Sequence, residues 1–407
     1  MRALLFSWEY PPVIEGGLGR HVRKLSEELA RGGVEVHVVT RGGGRLPGVQ
    51  TRRGVVVHRV REPPFPRNVE LFLRWVADMN EHMLALGSEL AERGGFDLIH
   101  SHDWLVADGA ERLAAAAELP WLVTIHATEF GRHQGWVQLH PQSQIHANER
   151  RMARHADHVI TCSEYMAGHV SRLFGVAPER ITAIPNGIDP RELEPVEGAA
   201  LADEAALRAR FARPDDLLVL MVGRLVYEKG FHLALDALAP IARARGNVRF
   251  VVAGTGGAEA ELKRQARRLG LSRHGTFLGW VGDDMLHALY RAAEVCIVPS
   301  IYEPFGLVAL EAMASGCLAV VADTGGLREV VPGDGTGGLR FRARDAEALR
   351  EILEQVLTDD AARARLAAEG REHALRFDWA EVARHTLGVY RSLVAHSFDV
   401  ANARDWR

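Results

Sequence analysis

VCIVPSIYEPFGLVALEAMASGCLAVVAD, residues 295–323, decides the fold. It opens on a short apolar run, VCIVPS, and closes on another, LAVVAD. Between them Pro304, Phe305 and Gly306 make a turn, and residues 307–314 form an apolar helix. Strand, turn, helix and strand in 29 residues make a βαβ unit. Neither apolar run alternates with polar residues, so both faces of each strand are covered, as in a parallel sheet.

The same grammar extends in both directions. Upstream, strands are expected at LLVLMVG (217–223), VRFVVAG (248–254) and TFLGW (276–280), with helices at 231–244 and 258–269 between them. A second series fills the first half. It comprises LLFSW (4–8), VEVHVVT (34–40), VVVHRV (55–60), DLIHSHD (97–103), WLVTIHA (121–127), HVITCS (158–163) and ITAIP (181–185). Helical patterns at 18–31 and 69–93 separate several of them. Two such series predict two doubly wound α/β domains. The proline- and acid-rich stretch from PNGIDP (185–190) to Pro214 reads as the boundary. Residues 345–396 read as almost continuously helical.

A length of 407 residues suits two domains, and 47% hydrophobic with 25% charged residues is ordinary for a folded protein. A net charge of −4 with no polybasic tract argues against a nucleic-acid surface. Cys162, Cys296 and Cys317 form no CxxC pair and read as buried thiols in a reducing compartment. The N-terminal apolar run stops at Glu9 and the two prolines after Tyr10, too short for a signal peptide. No run reaches the roughly 20 apolar residues of a membrane span. The expectation is a cytoplasmic protein with at most peripheral membrane contact.

Ligands of parallel sheets sit beyond the carboxyl ends of the strands, and four loops there carry chemistry. EYPPVIEGGLGRH brings Gly16, Gly17 and Gly19 to a helix start, either to approach a phosphate or to make a tight turn. THATEFGRHQG sets His126 at a strand end, as a donor to a sugar hydroxyl or as a structural residue. His126 with Glu129 lacks metal-ligand spacing. GRLVYEKG places Arg224 and Lys229 beside a helix start, as a diphosphate clamp or as incidental loop charges. SIYEPFGLVALEA sets Glu303 and Glu311 eight apart around a helix start, to grip vicinal hydroxyls or to act as caps. Other strings read as structural: the 254–257 glycine turn, Asp283 and Asp284 at a helix start, and His100 and His102 about a strand end.

Taken together, GGLG, GRLxxxKG, EPFGLVALEA and the following TGG (324–326) resemble the retaining GT-B glycosyltransferases of family 4, along nearly the whole chain. SWEYPPVIEGGLGRHV, HSHDWLVA, TIHATEFGRHQGWV and ITCSEYM look like the actinobacterial glycogen-synthase-like α-1,4-glucosyltransferases, which extend glucan or methylglucose polysaccharides. The resemblance implies an acceptor-side Rossmann-like domain at 1–190 and a nucleotide-sugar domain at 191–380, with an interdomain cleft. It also implies a final helix, 381–407, packing back on the first domain.

Site roles follow from the same likeness. Arg224 and Lys229 would bind the donor diphosphate, Glu303 the transferred sugar and Glu311 the ribose. Main-chain groups of Phe305, Gly306, Leu307 and Val308 would meet sugar and phosphates, and Gly16 and Gly17 would approach the diphosphate. His126 would lie near the reaction centre and Asp103 on the acceptor side. No metal or other cofactor is implied; the donor, UDP-glucose or ADP-glucose, is a co-substrate, and a glucan or oligosaccharide is the acceptor. Bacterial ADP-glucose glycogen synthases carry a lysine just before the paired glycines, where this chain has Glu15 nearby, so their donor preference does not carry over. The alternatives are mannosyl or other hexosyl transfer to a lipid or small polyol, with Phe72 and Trp75 either facing a membrane or, as their helical spacing favours, in the core; a sugar-nucleotide epimerase; and a silent nucleotide-sugar-binding subunit.

Overall fold

The strands read from sequence are all present in the computed structural model, which describes residues 1–14, 16–42, 48–66, 68–194 and 204–404. Contacts divide the chain into two units, Met1–Gly187 with Trp379–Arg407, and Ile188–Asp378.

The first unit holds β1 (Arg2–Ser7), β2 (Glu35–Arg41), β3 (Val49–Arg52), β4 (Val55–Val60), β5 (Leu98–His102), β6 (Trp121–Ile125), β7 (His158–Thr161) and β8 (Ile181–Ala183). They form one sheet in the order β3-β4-β2-β1-β5-β6-β7-β8, parallel except for the β3–β4 pair. The chain moves outward from β1 in one direction and restarts at β5 in the other, so the order reverses between β1 and β5. The interior strands are buried along almost their whole length, which is why they read as unbroken apolar runs.

Helices cover both faces, and their ends obey local chemistry. The helix Glu164–Phe174 starts where Ser163 accepts the Met166 N–H and stops at Gly175 with φ +70°. Trp75, whose spacing favours the core over a membrane contact, is only 4% exposed; its ring meets Trp8 edge-on at 5.1 Å, and its indole N–H donates to Pro63 O. No described helix is long and apolar enough to cross a membrane.

The second unit holds β9 (Leu217–Val222), β10 (Val248–Ala253), β11 (Gly275–Gly279), β12 (Val295–Val298), β13 (Leu318–Ala322) and β14 (Leu339–Phe341), an all-parallel sheet ordered β11-β10-β9-β12-β13-β14. Its reversal lies between β9 and β12. The helix Leu307–Ala314 is apolar all round because most of its residues are buried.

The stretch 345–396, read as almost continuously helical, consists of three helices, Ala346–Val356, Asp360–Ala374 and Trp379–Arg404. Asp345 starts the first and Asp359 the second, each as an N-cap that accepts backbone N–H from the following turn. The last helix belongs to the first unit. Its Trp379, Val382, Ala383 and Tyr390 share a core with Val22, Leu25 and Leu29 of the helix Gly17–Arg31.

Candidate active site

In the second unit the chemistry gathers where the sheet order reverses. The loops after β9 and β12 are neighbours there because their strands are paired. They are locked by contacts that exclude side chains. Gly230 has φ +68°, and a Cβ on it would collide with the Pro299 carbonyl oxygen. Gly326, after β13, likewise leaves no room for a Cβ against Pro304 O, and its N–H donates to Glu303 O at 2.9 Å. The Glu228 carbonyl accepts the N–H groups of Ile301 and Tyr302.

These contacts bring Lys229 onto Glu303, with Nζ 2.8 Å from Oε2. Ser300 Oγ donates to the same oxygen at 2.9 Å. Glu303 is 8% exposed, so its charge is held by a cation and a hydroxyl rather than by bulk water. Arg224 reaches Glu228 Oε1 at 3.4 Å with its side chain about half exposed. Gly306, φ +118°, is the N-cap of the helix Leu307–Ala314, so the first-turn N–H groups at Leu307 and Val308 lie beside this loop. The Phe305 ring is buried and meets Phe377 edge-on, which leaves only its main chain for a ligand. Glu311, one turn further along, accepts the Tyr290 hydroxyl at 2.9 Å.

In the first unit a second group forms at the ends of β5 and β6 and in the first turn of the helix Gly17–Arg31. Gly16 is that helix's N-cap, and its N–H donates to Glu9 Oε2 at 3.0 Å. Gly17 is the first helical residue. Glu15 lies outside the described residues. His126 follows β6 and is half-buried, with Nε2 3.2 Å from His102 Nδ1. The His21 ring stands 4.6 Å from that of His126 and binds Asn186 Oδ1 through Nδ1 at 2.7 Å. Burial holds all three imidazoles neutral: it drives His21 and His102 well below the usual histidine range and, with Arg132 adding to it, His126 down to about 3.

Asp103 acts on this group through the main chain. Its Oδ1 accepts the His126 N–H at 2.7 Å, and its own backbone sits at φ +60°. A non-glycine residue there stores about 1–3 kcal/mol of strain. Burial raises its carboxyl to about 6, against the pull of Arg132 and the N–H groups of His126 and Ala127. Glu129 faces His133 at 3.0 Å and Arg132 at 3.9 Å. Both oxygens of Glu149 meet the Glu129 N–H, and burial raises the Glu149 carboxyl to about 8.

Sequence reasoning missed His21, His102, Asn186 and Glu149. His21 lay inside the GGLGRH string, whose glycines drew the reading, and His102 was set aside as structural. Asn186 and Glu149 carry no local signal.

Comparison with known proteins is decisive at this point. Residues 15–192 match the model described as Glycosyltransferase Family 4, and residues 203–373 match that described as Glycosyl transferases group 1. The chain is 40% identical to the glycogen synthase of Mycobacterium tuberculosis H37Rv over 403 residues, covering 96% of this chain and 94% of that one. The chain belongs to glycosyltransferase family 4.

A D-inositol 3-phosphate glycosyltransferase of Frankia alni is 34% identical, over 92% of this chain and 94% of that one. Among solved structures, sucrose-phosphate synthase from Thermosynechococcus elongatus superposes with a TM-score of 0.82 at 28% identity, over 97% of this chain and 99% of that one. This family 4 enzyme is therefore a hexosyltransferase of the GT-B type, built from two Rossmann-like units.

Proposed function

We propose that the enzyme moves an α-glucosyl unit from UDP-glucose or ADP-glucose onto a hydroxyl of an α-1,4-glucan or related oligosaccharide, with retention of configuration. The observation that carries the reading is the Lys229–Glu303 contact at the reversal point of the second sheet. A cation beside a partly buried carboxylate and a helix start suits a sugar bound to a diphosphate: the positive groups meet the phosphates and the carboxylate takes sugar hydroxyls. The 40% identity to a glycogen synthase favours glucose and a glucan.

In this reading Lys229 and Arg224 neutralise the diphosphate as the anomeric C–O bond to phosphate breaks. Main-chain N–H groups of Leu307 and Val308 share that task. Glu303 fixes the sugar through its 3- and 4-hydroxyls, and Glu311, oriented by Tyr290, holds the ribose. The acceptor oxygen forms its new bond to C1 on the face the phosphate leaves, and its proton passes to the departing phosphate oxygen. The products are a nucleoside diphosphate and a glycan one residue longer. The family resemblance gives His126 a role at the transferring sugar and Gly16 and Gly17 one at the phosphates, and Asp103 fixes the loop that carries His126.

The 34% identity to an inositol-phosphate glycosyltransferase favours a second reading, transfer to a small phosphorylated polyol. One experiment separates them. Purified enzyme is given UDP-glucose, ADP-glucose or GDP-mannose with maltooligosaccharides or inositol 3-phosphate. Nucleoside diphosphate release with a lengthened maltooligosaccharide is the expected result. Glycosylation of inositol phosphate alone replaces the first reading with the second. Donor bound but never consumed, across both acceptors, leaves only a silent binder.

A further inference from the structure

Among the described residues, one group of three or more His, Cys, Asp or Glu side chains converges closely enough to hold a metal ion: His21, His102 and His126, with one ligand nitrogen from each within 4.8 Å of the others. We propose that these three imidazoles form a binding site for a divalent transition metal of the zinc type, and that its occupation withdraws His126 from sugar transfer. The binding half stands on this cluster alone; the inhibition half rests on the function proposed above.

The donor set fits such an ion. Neutral imidazole is a ligand for zinc, copper and nickel. Tetrahedral Zn–N bonds of about 2.0–2.1 Å set ligand nitrogens about 3.3 Å apart. The His102 Nδ1–His126 Nε2 pair, at 3.2 Å, already has that spacing; a metal takes the place of the shared hydrogen as the donating ring shifts to its other neutral tautomer, with the proton on its remaining nitrogen. His21 is oriented as metal-bound histidines are. Asn186 Oδ1 can only accept, so the imidazole proton is on Nδ1, and the lone pair is on Nε2. That Nε2 is buried with no hydrogen-bond partner. A buried unpartnered nitrogen within this cluster is costly unless something arrives to use it. Three protein ligands leave the fourth position to water on the half-exposed side of His126. A metal here is an inhibitor rather than a cofactor, because it occupies the imidazole assigned to the sugar.

Equilibrium dialysis of the full-length enzyme against Zn2+, with X-ray absorption at the zinc edge, tests the site. Wild type is expected to retain one equivalent whose ligand shell contains three imidazoles. H21F abolishes it, and Asn186→Ala weakens it by about 10–100-fold, as loss of an orienting partner does. H155A, an exposed histidine paired with Glu111, retains it. No retained equivalent, fewer than three imidazoles, or wild-type affinity in H21F overturns the site. If H21F does not fold, the wild-type ligand shell and N186A decide. Zn2+ should also suppress nucleoside diphosphate release over the concentration range in which it binds, with chelator restoring the rate. Bound zinc without inhibition overturns the second half. Absence of turnover in metal-free enzyme is a failure of the transferase reading and leaves the dialysis result intact.

Discussion

Replacing Glu149 by glutamine should flatten the pH dependence of the first unit's stability. Glu149 is 1% exposed, and both its oxygens lie on the Glu129 N–H. Its folded carboxyl titrates at about 8 against 4.5 for the ordinary group, because burial outweighs Arg132 and the backbone bond. Between those values the folded state binds more protons than the unfolded state. Stability therefore falls as pH rises from about 4.5, and the loss is complete above about 8. Each pH unit is worth about 1.4 kcal/mol, so the full span sets a ceiling of about 5 kcal/mol. About 3 kcal/mol of this falls between pH 5.5 and 8.5, and water entering on ionisation brings the expected loss there to about 2–3 kcal/mol. Glutamine copies the protonated form: its oxygen keeps the Glu129 N–H and no charge ever forms. Urea unfolding of wild type and E149Q at pH 5.5 and 8.5 reads the difference. His21, His102 and His126, depressed by burial, stabilise the fold in the opposite pH sense, but they do so in both proteins and cancel. The expected result is a variant that gains about 2–3 kcal/mol on wild type between the two pH values. Parallel curves, or a variant weaker by the same amount throughout, would show Glu149 ionised and paired with Arg132, and would refute the reasoning.

In the second unit, Lys229→Ala should cut turnover by about 10²–10³-fold, the usual cost of one charge-stabilising donor. Its stability cost should stay at or below about 3 kcal/mol, because Ser300 Oγ still donates to the Glu303 oxygen that loses its cation; near-normal nucleoside diphosphate release would remove the diphosphate role. Gly230→Ala should do the reverse, acting first on the fold. Its φ of +68° and the collision with Pro299 O should cost about 3–5 kcal/mol, lowering the thermal midpoint of this unit by about 6–20 °C. A midpoint within about 2 °C of wild type would show that the two loops are not in contact.

The parts of the fold that were legible share one cause. A strand covered on both faces has no polar position, so β1, β5, β9, β12 and β13 stand out as runs bounded by turn residues. Val49–Arg52 did not, because it is an edge strand with mostly exposed side chains. Leu339–Phe341 is three residues long, too short to show any pattern.

The site divides along a different line. Glu303, Gly306 and Glu311 sit in one string, and Arg224, Lys229 and Gly230 in another, so each half of the donor loop pair could be named. Their meeting could not be read, since Lys229 and Glu303 are 74 residues apart and touch only because β9 and β12 are adjacent. The histidine cluster depends still more on strand order. It draws one residue from a helix after β1, one from β5 and one from the end of β6, and those strands are neighbours only in the finished sheet. His100 and His102 are two apart and so share a face of β5. His100 is spent on Tyr390 and Thr124, with contacts of 2.7 Å to each. His102 has the same residue type on the same face, yet its Nε2 has no partner and its Nδ1 turns to His126. What separates a structural histidine from a candidate ligand here is whether its ring nitrogens meet hydroxyls or other imidazoles, and that is a property of the neighbours rather than of the string.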